Sequence, residues 1–83
     1  QVLVNFKTSK DPECIINDKT LNKYLDEIKL KNSKDQAMVL VRKSGTEKLI
    51  RVMVQSKSEK QTNFIIQNIT NIIFDADQLC QKV

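Results

Sequence analysis

Between Arg42 and Arg51 the chain reads Arg-Lys-Ser-Gly-Thr-Glu-Lys-Leu-Ile-Arg, a stretch that gathers two hydroxyls, the only glycine and four basic side chains. Arg42, Lys43, Lys48 and Arg51 stand against the one carboxylate of Glu47, a local net of +3 within a chain total of +4. These residue types suit an anion with several oxygens. An arginine fork matches two phosphate oxygens, so Arg42 and Arg51 can orient an anion as well as attract it. Ser44 and Thr46 add hydroxyl donors, and Gly45 permits a positive φ with close backbone approach. Successive amides can then form an anion-binding nest. A Ser-Gly-Thr turn with solvated lysines has the same composition, so the elements that hold the arginines decide between the two.

Those elements are strands. Ala37 to Val41 is a short continuous apolar run that suits a central strand. Leu49 to Gln55 alternates, with Ile50, Val52 and Val54 on one side and Leu49, Arg51 and Met53 on the other. The two runs are close enough to form a hairpin. With Lys43 to Lys48 as its loop, Arg42 falls opposite Leu49 and Arg51 opposite Leu40, which puts both arginines on one face of the sheet. Like charges placed that way repel unless an anion lies between them.

The rest of the chain supplies a support. Val2, Val4 and Phe6 alternate with Leu3, Asn5 and Lys7, as a half-buried strand does, and Thr8 to Asn17, with the only proline, reads as a connecting loop whose apolar patch Cys14 to Ile16 tucks under the next helix. Leu21, Tyr24, Leu25 and Ile28 then follow helical spacing, which predicts a helix from about Lys19 to Lys31 with Asn17 or Asp18 as cap and Lys29 and Lys31 near its carbonyl end. Asp26 and Glu27 are adjacent on it, point in different directions and read as solvated acids rather than an acid–base pair. Asn32 to Gln36 breaks the pattern.

Ser58-Glu59-Lys60-Gln61 is a capping box, and the stripe Ile65, Ile69, Ile72 and Ile73, widened by Ile66 and Phe74, predicts a second helix over the buried sheet face. Its spacing continues through Ala76, Leu79 and Val83, and a frayed terminal turn is expected over residues 76–83. The order strand, helix, strand, strand, helix predicts an α+β two-layer fold, a largely antiparallel sheet with two helices on one face, as a single domain over residues 1–83.

Composition narrows the function classes. Eighty-three residues allow one small core, and 40% hydrophobic with 29% charged content is ordinary for a folded chain. No apolar run approaches the length of a membrane span. Cys14 and Cys80 lie far apart with no histidine to complete a zinc set, so free thiols and no metal site are expected. Asn68-Ile69-Thr70 is a glycosylation sequon, but it falls inside the second helix. A pI near 9.2 is compatible with a small nucleic-acid-binding module. Against it, Phe6 belongs to the core face and Tyr24, Phe64 and Phe74 to the helices, which leaves no aromatic platform for stacking bases. The chain opens at Gln1 inside an apolar alternation, as expected of a piece of a longer protein.

Arg42-Lys43-Ser44-Gly45-Thr46-Glu47 followed by Leu49-Ile50-Arg51-Val52-Met53-Val54 resembles the phosphate-binding signature of the α-D-phosphohexomutases, and Val2-Leu3-Val4-Asn5 resembles the strand that opens their C-terminal domain. The Leu-Ile-Arg-Val-Met run favours the branch acting on glucosamine phosphates over the phosphoglucomutase and phosphomannomutase branches. The chain departs from the family at Lys48, where proline is usual, and at Gln55, where glutamate is frequent.

The resemblance implies a TATA-binding-protein-like C-terminal domain of a four-domain cytoplasmic enzyme. The catalytic phosphoserine and the magnesium aspartates of such an enzyme lie in its earlier domains, so this chain holds no catalytic residue and no metal. Its implied role is to bind the non-reacting phosphate of a phosphosugar through Arg42, Ser44, Gly45, Thr46 and Arg51, supported by Lys43, Glu47 and Lys48. The implied partners are that phosphosugar and the other domains of the same enzyme, with neither nucleic acid nor membrane.

Overall fold

The computed structural model describes residues 2–31, 37–45 and 47–83. The expected break at 32–36 and the Thr46 hydroxyl lie outside the described residues. In chain order the elements are β1 (Val2–Lys7), α1 (Pro12–Ile16), α2 (Lys19–Lys31), β2 (Met38–Lys43), β3 (Leu49–Gln55), α3 (Glu59–Ala76) and β4 (Gln81–Lys82). The strands form one sheet in the order β2-β3-β1-β4, with every neighbouring pair antiparallel.

Strand alternation fixes which side is buried. Val2 pairs with Val54, Val4 with Val52 and Phe6 with Ile50, and this row turns toward the helices. Phe6, Ile50, Val52 and Val54 are almost fully enclosed there against Leu21, Ile65, Ile69 and Ile73. None of the described helices covers the other face, and its Leu3 and Met38 are more than half exposed. The architecture is therefore the expected α+β pair of layers, with helices on one face.

Each helix begins where a side chain can satisfy its free amides. Asp18 accepts from the Leu21 amide at 3.0 Å, and Ser58 accepts from the Gln61 amide at 3.0 Å. A hydrogen bond of 3.0 Å from the Asn68 side chain to the Tyr24 hydroxyl joins α2 to α3, and Phe6 meets Phe74 edge to face with ring centroids 6.0 Å apart. None of the described helices is long and apolar enough to cross a membrane.

Three expectations change. The stretch 8–17 is not all loop: Asp11 caps a one-turn helix with Pro12 at its start, and Ile15 is buried while Cys14 is exposed. β2 is an edge strand, not a central one, because α1 and α2 return the chain to the outer side of β3. The tail is neither helix nor frayed turn. α3 stops at Ala76, Asp77 takes an extended conformation, and Gln81 and Lys82 pair with Lys7 and Phe6 to add β4.

Candidate phosphate site on the β2–β3 hairpin

Lys43 pairs with Ile50, and the Ser44 amide donates to the Leu49 carbonyl at 2.9 Å, so the ladder runs two residues further than the sequence suggests. Gly45, Glu47 and Lys48 lie in the loop. Gly45 has φ +39°, in the left-handed region that favours glycine, and the Glu47 amide closes the turn on the Ser44 carbonyl at 3.2 Å. The foot of the loop is tied to β1's exit, where the Thr8 amide donates to the Lys48 carbonyl at 2.9 Å.

This correction moves the arginines closer together. Arg42 lies directly opposite Arg51, not opposite Leu49. Slipping a register by two residues preserves the side-chain face, so both guanidinium groups still project from the open face of the sheet. Directly opposed side chains start with Cβ atoms about 4.5–5.5 Å apart, a separation at which like charges destabilise the pair. Both arginines are exposed, and neither guanidinium has a hydrogen-bond or salt-bridge partner among the described residues.

A depression of about 550 Å³ lies over the pair, lined by Leu3, Leu40, Arg42, Lys43, Ser44, Gly45, Arg51 and Met53. It offers two guanidinium forks, a hydroxyl and a glycine backbone at one end and an apolar floor at the other. The supporting residues behave differently. Lys43 shares the helix-facing side with Ile50, and its ammonium binds the Glu13 carboxylate of α1 at 2.6 Å. The hydrogen bond and charge of Glu13 raise the Lys43 pKa above its ordinary value. Lys43, Glu47 and Lys48 also line a smaller depression of about 290 Å³ beside Asp11 and Pro12. The structure thus brings together Arg42, Ser44, Gly45 and Arg51, and directs the Lys43 ammonium elsewhere.

Sequence reasoning missed the residues that brace this loop. Thr8 is buried at its foot, and Ser9 and Lys10 follow into the grip of Asp77, whose carboxylate accepts from the Ser9 amide at 2.7 Å and the Lys10 amide at 3.3 Å. Burial pushes the Asp77 pKa up, but the hydrogen bonds from the Ser9 hydroxyl and the Ser9, Lys10 and Leu79 amides outweigh it and hold the pKa below its ordinary value. In the sequence Asp77 is only an acid in the expected tail, and nothing there marks it as buried. No cluster of three or more His, Cys, Asp or Glu gathers among the described residues, so they offer no donor set for a magnesium ion.

Residues 3–72 match the family model described as phosphoglucomutase/phosphomannomutase, C-terminal domain. The chain is 36% identical over 74 residues to a phosphoglucosamine mutase of Clostridium botulinum (strain Kyoto / Type A2), and 34% identical over 74 residues to that of Alkaliphilus oremlandii (strain OhILAs). It is 36% identical over 81 residues to the phosphoglucosamine mutase of Clostridioides difficile (strain 630). Each match covers 88% of this chain and 16% of the relative, so the chain spans about a sixth of the length of those proteins. The matched segment contains the arginine-flanked hairpin, α1, α2 and most of β1 and α3, and the chain belongs to the phosphoglucomutase/phosphomannomutase C-terminal domain family.

Proposed function

We propose that this chain is the substrate-phosphate-binding domain of a phosphohexomutase, specifically one interconverting glucosamine 6-phosphate and glucosamine 1-phosphate. The observation that carries the reading is the direct pairing of Arg42 with Arg51 on an open sheet face, at the mouth of a loop with a left-handed glycine. An unneutralised like-charge pair destabilises the free domain, and a phosphate dianion between the forks turns that repulsion into two charge-assisted contacts. The names of the similar proteins favour the glucosamine branch over a phosphoglucomutase or phosphomannomutase. The open face carries no aromatic side chain among the residues that β1, β2 and β3 send to it, which disfavours a base-stacking role.

In this reading residues 1–83 form one C-terminal domain of a cytoplasmic enzyme, and the 76–83 segment is part of the sheet through β4. Magnesium and a phosphoserine supply the phosphoryl transfer from other parts of that enzyme. The domain holds the phosphate that is not reacting, and the binding energy of that remote group positions the sugar and favours closure of the domains around it. Because the intermediate carries a phosphate at each end and reorients, one site serves both ends.

Titrating the chain with inorganic phosphate should move the amide resonances of Ser44, Gly45 and Thr46 saturably, and Arg42→Ala should abolish the movement while leaving the fold intact. In the whole enzyme the same substitution should lower kcat/KM on the order of 10²-fold or more. Shifts spread evenly over all lysines, or full activity of the variant, would sink the proposal.

A further inference from the structure

The register places a third cation on the same sheet face, diagonal to Arg51, where it lines a neighbouring depression with Thr8, Ser9, Leu79 and Gln81. β1 and β2 each send three side chains to the open face and β3 sends four, and of these ten the charged ones are Lys7, Arg42 and Arg51, with no carboxylate. Lys7 ends β1, is exposed, and its ammonium has no hydrogen-bond or salt-bridge partner among the described residues. Opposite it on β3 is Leu49, whose carbonyl accepts from the Ser44 amide on the far side. Lys7 and Ser44 therefore flank Leu49 across two strand spacings, about 10 Å between backbones. Arg51 is the diagonal neighbour of Lys7, about 7–8 Å away at the backbone.

A lysine carries its charge on a flexible four-carbon stem with three rotatable donors, so it can reach over Leu49 to an oxygen that the arginine forks leave unpaired. Among the described residues no carboxylate forms an ion pair with Lys7, Arg42 or Arg51. Glu13 is occupied by Lys43 on the helix side, and Glu47 lies in the loop beside the smaller depression.

We propose that Lys7 is a third phosphate-binding residue of this site, approaching a sugar-phosphate dianion from the β1 side while Ser44 and Gly45 approach from the loop. The proposal rests on the reading of Arg42 and Arg51 as a phosphate site. It gives the strand β1 a direct part in binding.

The test uses this chain, with inorganic phosphate as probe and the initial slope of the Ser44 and Gly45 amide shifts as readout. Lys7→Gln should reduce the slope about three- to tenfold and weaken its dependence on salt, and Lys7→Arg should retain most of it. Lys29→Gln, the same charge change on an exposed position of α2, should leave the slope unchanged. If Lys7→Gln behaves like Lys29→Gln while Arg42→Ala abolishes the shifts, the role of Lys7 is overturned and the arginine site stands. If Arg42→Ala also leaves the shifts intact, the phosphate reading itself falls, and the role of Lys7 with it. An amide spectrum otherwise unchanged in the Lys7 variants separates lost binding from lost folding.

Discussion

Asp77 shows how far one side chain reaches in a domain of this size. Its carboxylate accepts from the Ser9 amide, the Ser9 hydroxyl, the Lys10 amide and the Leu79 amide. These donors come from the β1 exit and from the turn into β4, so one acid ties the end of β1 to the start of its neighbouring strand. Asp77→Ala leaves several part-buried donors without their acceptor and should cost about 1–3 kcal/mol, measured by urea unfolding at neutral pH. The folded pKa is lowered, so the charged form is favoured by folding. Its stabilisation is complete above the unfolded carboxylate pKa and is lost as pH falls through the lowered folded value. Acid titration should show this loss in the wild type and a flatter profile in Asp77→Ala. The neighbouring Cys80 is affected as well: burial, and then the Asp77 charge, raise its pKa, whereas Cys14 is exposed. A thiol reagent at neutral pH should therefore label Cys14 promptly and reach Cys80 only on unfolding.

At the scale of elements, α3 contributes the largest apolar stripe, and Ile69 at its centre is fully enclosed. Ile69→Ala should lower unfolding free energy by about 2–5 kcal/mol, and Ser58→Ala, which removes the N-cap, by about 0.5–2 kcal/mol. Both helix spans were legible because their apolar stripes extend over several turns, and β1 and β3 because they alternate. The missed elements lacked such patterns. β4 is two polar residues, too short for alternation and set by pairing with β1. α1 is one turn, identifiable only by its Asp11-Pro12 start. β2 read as central because Met38 and Leu40 are apolar on the open face, where they form part of an uncovered floor and not a second core. The parity of the arginines was legible while their register was not, since loop length depends on whether Ser44 stays in the ladder, a choice made by the Gly45 turn.

For the whole molecule, a radius of gyration of 12.2 Å is close to the roughly 12 Å expected of a single compact domain of this length. Such a domain has little stability to spare, yet it places two arginines face to face on an open surface. If that pair serves binding, removing it should stabilise the ligand-free chain. Arg51→Met keeps an unbranched side chain while removing one charge, and should raise stability by about 0.2–1 kcal/mol, or a few degrees in Tm for a domain of this size. Phosphate should reverse the ranking. A ligand that binds only the folded state stabilises by RT ln(1 + [L]/Kd), about 2.7 kcal/mol at one hundred times Kd. Phosphate also stabilises proteins generally through exclusion from their surfaces, so the informative quantity is its effect on wild type minus that on Arg51→Met, each referred to chloride at equal ionic strength. We expect the variant to melt higher in chloride and the wild type to gain more from phosphate. If both proteins gain equally, the arginine pair has no special affinity for phosphate. If Arg51→Met is less stable even in chloride, the pair is structural, since its two charges then stabilise the sheet without any anion between them.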